Sequence, residues 1–142
     1  MIYKKLRREI RENGEYKPME YSAELKTEVL HEGMYRGYQY YVLSMGTHPT
    51  AYVEIPEDHK FYGKSYDDID IKVHGGLTYS DDHLQDIKED TWIIGWDYAH
   101  AGDYLGMLPD YANVGYKKWT TREMVEEAIN VIEQIIGNEE KE

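Results

Sequence analysis

Apolar positions recur along the chain in two periods, and the switches between them outline its elements. Ile2, Leu6 and Ile10 stand four apart, the spacing of one helix face, and Asn13-Gly14 ends that run. From Tyr21 to Val29 the pattern turns to strict alternation: Tyr21, Ala23, Leu25, Thr27 and Val29 against Ser22, Glu24, Lys26 and Glu28. Period two reads as a strand. A helix starting at Ser22 competes with it, and Gly33 closes the segment. Tyr38–Met45 and Ala51–Ile55 read as two strands joined at Gly46-Thr47-His48-Pro49, a hairpin with a loop of about four residues. Pro56 ends the second.

Glu57 to Asp70 reads as loop or short helix. Asp70–His74 alternates again, with Ile71 and Val73 inward, and halts at Gly75-Gly76, and Leu77–Tyr79 resumes a short strand. Ser80–Asp90 is an acidic loop, and Trp92–Trp96 an apolar, buried strand. His100–Gly115 holds three Gly, one Pro and one Asn. It reads as a long irregular loop of the kind that often carries function. The last element is the clearest. Thr120 and Glu123 form a capping box, and Val125, Ala128, Ile129, Ile132, Ile135 and Ile136 share one stripe. Gly137 reads as the residue that ends the helix, with a frayed tail after it.

These elements predict an α+β fold over residues 1–142 as one domain: an antiparallel sheet packed by a C-terminal helix at 120–136, with a short N-terminal helix in the arm 1–14. No repeat or linker interrupts it. A chain of 142 residues is long enough to build one core without staples.

Charge narrows the partners. Sixteen Lys and Arg against 28 Asp and Glu leave a formal −12, which opposes duplex nucleic acid. Residues 1–12 carry five basic and two acidic groups, so a basic arm leads an acidic body. That suits self-association or tethering, or simply a solvated first helix. No apolar run approaches the roughly 20 residues of a membrane span, and no signal-peptide core follows the basic start. The expected home is the cytoplasm. With no Cys, thiolate metal sites and cysteine nucleophiles are excluded. Aromatic usage is skewed to 15 Tyr, 3 Trp and one Phe. Tyr suits half-buried strands and equally the walls of a wet pocket.

Three clusters could hold chemistry. In Val73-His74-Gly75-Gly76-Leu77-Thr78-Tyr79, paired glycines break a strand pattern, which marks a bulge or a place where backbone approaches a ligand. In Gly95-Trp96-Asp97-Tyr98-Ala99-His100-Ala101-Gly102-Asp103, the three polar side chains Asp97, His100 and Asp103 meet only if a turn at Gly102 brings them together. With His74 they would form a general-base pair or, alternatively, a divalent-metal set; otherwise they are loop anchors. The third, Tyr52 to Gly63, places His59 and Tyr62 three apart beyond the hairpin. No G-x-S-x-G, G-x-G-x-x-G or P-loop occurs.

Together, Tyr-Val-x-Ile-Pro-x-x-His-x-x-Tyr-Gly (52–63), Val-His-Gly-Gly-Leu-Thr-Tyr (73–79) and Gly-Trp-Asp-x-Ala-His-x-Gly-Asp (95–103) resemble a family of small proteins of bacteriophages and Gram-positive bacteria. The resemblance spans about residues 36–136. It departs from the family at Trp96, where Phe is usual. It implies a phage accessory gene, not a reaction.

The expected function is therefore binding and sequestration of a small nucleotide-like ligand, such as a cyclic nucleotide of host anti-phage defence, with no cofactor. The expected contacts are His59, Tyr62, His74, Gly75, Gly76, Thr78, Tyr79, Trp96, Asp97, His100 and Asp103, with Arg36, Lys60, Lys64 and Lys72 as phosphate partners. The alternative is a metal-dependent phosphoester hydrolase using His74, Asp97, His100 and Asp103, with His59 as acid or base. A nucleic-acid mimic is disfavoured by the interspersed cations. A homo-oligomer would give a small domain a deeper pocket.

Overall fold

The structure, a computed structural model, describes residues 27–46, 48–105 and 110–139. The expected N-terminal helix and most of the expected 21–29 strand lie outside these residues. Five strands form one antiparallel sheet: β1 (Glu28–Tyr35), β2 (Tyr38–Ser44), β3 (Pro49–Ile55), β4 (Tyr79–Asp81) and β5 (Trp92–Asp97). Their order across the sheet is β1-β2-β3-β5-β4. Among the described residues one α-helix, α1 (Thr121–Glu139), packs across β1, β2 and β3. The α+β architecture expected from the sequence is the one observed. No helix among the described residues is long and apolar enough to cross a membrane.

Both faces of the sheet are covered, which is why β2 and β3 are buried at almost every position and not at alternate ones. On one face Leu30, Tyr40, Val42, Val53, Ile94 and Trp96 pack with Met124, Ala128, Val131, Ile132 and Ile135 of α1. On the other, Val29, Tyr41, Leu43, Tyr52 and Ile93 pack with Leu84, from a turn closed by the Leu84–Lys88 bridge. Three tyrosine hydroxyls on the helix side donate to glutamates along α1: Tyr98 to Glu127, Tyr35 to Glu133 (2.6 Å) and Tyr38 to Glu139. These tyrosines serve positions where the ring enters the core and the tip reaches a partner.

Four boundaries differ from the expected ones, each for a physical reason. β1 does not stop at Gly33 but runs on to Tyr35, because Gly33 makes room for the Tyr40 ring. A Cβ there would lie 2.9 Å from the Tyr40 hydroxyl. The true end is a two-residue turn at Arg36-Gly37, both at positive φ (49° and 87°), the geometry that matches strand twist in a hairpin. Residues 70–74 are not a strand. Gln134 of α1 holds the Lys72 backbone both ways, accepting from its N–H at 2.8 Å and donating to its carbonyl at 2.7 Å, so a side chain replaces the strand neighbour. The short strand after the glycines is Tyr79–Asp81, two residues later than expected. Gly137 does not end α1. The helix continues to Glu139, where Tyr38 holds the last turn.

The capping box forms as expected: Glu123 N–H donates to Thr120 Oγ1 (3.1 Å) and Thr120 N–H to Glu123 Oε1 (3.0 Å). Gly95 is the tightest point of the sheet, since a Cβ there would stand 2.4 Å from the Tyr52 ring and 2.8 Å from the Ala51 carbonyl. Gly95→Ala should destabilise the fold by about 1–3 kcal/mol through overpacking, and Thr120→Ala by about 1 kcal/mol through the lost cap. Urea denaturation of both variants measures this, and equal stability of Gly95→Ala and wild type would refute the packing assignment.

Candidate functional site

A buried carboxylate organises one end of the sheet. Asp103, only 2% exposed, accepts three hydrogen bonds from three stretches of chain. His74 Nε2 (2.8 Å) and the His100 backbone N–H (3.0 Å) meet Oδ2, and Trp119 Nε1 (2.9 Å) meets Oδ1. The turn predicted at Gly102 exists. The Asp103 N–H donates to the His100 carbonyl at 2.9 Å, and Gly102 takes φ 92°. Burial by itself raises the Asp103 carboxyl pKa. The hydrogen bonds from His74, His100 and Trp119 outweigh it, and the net shift is downward.

The turn also brings His100 back onto Asp97, at the end of β5. His100 Nε2 lies 3.0 Å from Asp97 Oδ1, a close contact outside hydrogen-bonding angles. Thr78 Oγ1 donates to Asp97 Oδ2 (3.2 Å), and the Ala99 N–H to Oδ1 (3.2 Å). The two imidazoles meet edge to face, 5.5 Å apart at 76°. His74 is stacked on Tyr98 (5.4 Å, 10°) and touches Trp119 (4.8 Å), and those two rings lie 5.0 Å from each other. His74 keeps a quarter of its side chain exposed. Its Nδ1 receives no hydrogen bond from the described residues.

Gly75 and Gly76 serve this arrangement. Gly76 N–H closes a turn on the Val73 carbonyl (2.9 Å), and a Cβ on Gly75 would stand 2.1 Å from His100 Nε2. The glycine at 75, with φ 71°, lets two histidines from different segments share one space.

The structure therefore joins His74, Gly75, Gly76, Thr78, Asp97, His100 and Asp103, and sets the other sequence-derived candidates elsewhere. Trp96 is buried in the core and reaches the cluster only through Tyr98, to whose hydroxyl its indole donates (2.9 Å). Tyr79 packs on Tyr52 and donates to the His83 carbonyl (2.5 Å). His59 is buried with both ring nitrogens engaged: Phe61 N–H donates to Nδ1 (3.0 Å), so Nε2 carries the proton and donates to the Ile135 carbonyl (2.9 Å). That pins the post-hairpin loop to α1. Tyr62 lines a cavity at the far end of the sheet.

Of the cations read from the sequence, Arg36 pairs with Glu133 (3.1 Å) and Lys60 lies near the Phe61 ring, while Lys64 and Lys72 are engaged through their backbones by Trp92 and Gln134. Lys117 instead sits 3.9 Å over the Trp119 ring and 2.8 Å from Glu123. Two further residues escape sequence reading. Trp119 sits just before the helix cap, where an apolar residue commonly staples the chain entry, which was the available signal. His48 precedes Pro49, whose carbonyl accepts from the Tyr98 N–H (3.0 Å). Burial lowers its pKa, Asp97 opposes that and His100 adds to it. Only the strand register reveals this neighbourhood.

The four residues of the alternative metal set meet as two pairs, His74 with Asp103 and His100 with Asp97, and no three of them bring ligand atoms together. Among the described residues, the one group of three such side chains with ligand atoms mutually within 4.8 Å is Asp81, Asp82 and His83, on the surface. The chain matches no protein-family model, no curated protein and no solved structure.

Two outcomes follow. Because its pKa is lowered on folding, Asp103 contributes stability that is present above the ordinary carboxyl value and is lost as pH falls from there through the lowered one. Asp103→Asn should therefore be less stable than wild type near neutrality, by about 2–3 kcal/mol for unmatched buried donors, and the gap should begin to narrow only as pH falls below about 4. Denaturation at a series of pH values checks this; a gap that stays constant with pH would contradict it. Gly75→Ala should expel His100 from its contact with Asp97, visible as a changed His100 ring resonance in NMR.

Proposed function

We propose that this protein captures a small anionic, nucleotide-like ligand at the His74 end of the sheet. A cyclic nucleotide of host anti-phage defence is the first candidate, and the chain would then act as a phage accessory protein that withholds the molecule. The observation that carries the reading is His74: Nε2 is locked onto the buried Asp103, a quarter of the side chain stays exposed, and Nδ1 has no partner among the described residues. An imidazole oriented this way accepts a base N–H when neutral and donates to a phosphate oxygen when protonated. Trp119 offers a half-buried aromatic surface beside it, and Lys117 a local positive charge within an acidic protein.

Capture is favoured over metal-assisted hydrolysis because the carboxylates are already committed. Asp103 accepts from three donors and Asp97 from Thr78 and Ala99, with His100 in close contact. Turnover is the second reading, on the same dyad: a carboxylate-oriented imidazole is also what a general base requires.

The experiment is capture and release. Purified protein is mixed with a panel of cyclic nucleotides and filtered, then heated, and the released molecules are weighed by mass spectrometry. An intact ligand appearing only after heating is the expected result, with retention weakened about 10- to 100-fold by His74→Ala. A chemically altered product before heating would assign turnover instead. Failure of every nucleotide to be retained or altered would overturn both readings.

A further inference from the structure

At the end of the sheet away from His74, where Ile55 pairs with Trp92, a cavity of about 290 Å³ opens between the β1–β2 turn, the end of β3 and the segment entering β5. It lies at the lower end of the range that small ligands occupy. Two stretches of chain bring three carboxylates to its lining, Glu54 and Glu57 from the end of β3 and Asp90 from the segment entering β5, and no lysine or arginine lines it. Glu54 is held by the Tyr41 hydroxyl (2.6 Å), with Lys88 Nζ 3.9 Å away. Arg36, beside the lining residue Gly37, is turned to Glu133 on the helix. Glu57 and Asp90 receive no ion pair from the described residues.

Carboxylates alone would describe a solvated rim. This cavity also has an organic wall. Tyr62, 40% exposed, sets its ring 6.5 Å from Trp92 at 52°. Trp92 is in turn fixed by its indole N–H on the Lys64 carbonyl (3.0 Å). Met34, 66% exposed, lines the cavity as well and offers a soft, apolar surface.

We propose that this cavity binds a small organic cation of the alkylammonium class, of which a linear diamine is the simplest member. Glu57 and Asp90 neutralise the ammonium charge, the Tyr62 face adds its quadrupole, and Met34 covers methylenes. A bare metal ion would make no use of the aromatic and thioether walls, so the wall composition selects an organic ion. The formal charge of −12 raises the local concentration of any cation. The site is separate from the His74 cluster and does not rest on what that cluster binds.

Titrating the full chain with putrescine, with 1,4-butanediol and with Mg²⁺ at matched ionic strength tests this by calorimetry. Saturable binding of putrescine alone is expected. Glu57→Gln, Asp90→Asn and Tyr62→Ala should each weaken it at least about threefold, and His74→Ala should leave it unchanged. All three lining substitutions are at exposed positions, and Asn tolerates the positive φ (53°) of position 90. Equal binding of Mg²⁺ would reduce the site to a counter-ion atmosphere and overturn the proposal. So would absence of saturation, or diamine binding insensitive to both Tyr62→Ala and Glu57→Gln.

Discussion

A carboxylate taken out of water must be met by donors from the protein, and Asp103 meets this demand with three segments that share no secondary structure. One is the glycine turn after residue 73, one the turn leaving β5, and one the chain entering α1. The order of the irregular half of the molecule follows from that constraint. His74 is oriented because Asp103 needs its N–H; the 100–103 turn is tight because Asp103 accepts within it. Trp119 faces the cluster because its indole supplies the last donor. The histidine at the surface is thus the outward sign of an electrostatic requirement settled underneath it.

The sheet solves a different problem. Its strands carry large tyrosines in a domain with little depth, and it accommodates them by leaving glycine opposite the ring. Gly33 faces Tyr40 across β1 and β2, while Gly95 faces Tyr52 and Tyr79 from β3 and β4. Tyr52 and Tyr79 then meet edge to face at 5.3 Å above the gap. Glycines that look like interruptions in the pattern are therefore part of the packing, and the hydroxyls left at the edges tie the sheet to α1.

This accounts for what was legible in the chain. The β2–β3 hairpin, β5 and the capped helix were readable because their apolar periodicity and turn residues agree. Gly33 reads as punctuation in the sequence, whereas β1 runs past it, because only the partner strand reveals the ring it accommodates. Residues 70–74 alternated like a strand, yet their backbone is satisfied by Gln134, 62 positions away. Within the site, the His74 and Asp97–Asp103 motifs were visible as polar groups beside glycines. Their pairing, His74 with Asp103 and His100 with Asp97, was not, because it depends on the direction of a turn. His48 and Lys117 arrive through register and ring contact, which no local pattern encodes.

The segment between Asp103 and Lys117 has its own base. A parallel bridge joins those two residues, with Tyr104 N–H on the Lys117 carbonyl (2.8 Å) and Lys117 N–H on the Gly102 carbonyl (2.7 Å). Just beyond, the Asn113 side chain clasps the Leu105 backbone in both directions (2.9 and 3.0 Å). Ties so close to Asp103 hold its neighbours from the other side of the chain, so the carboxylate is braced along the backbone as well as by the donors it accepts.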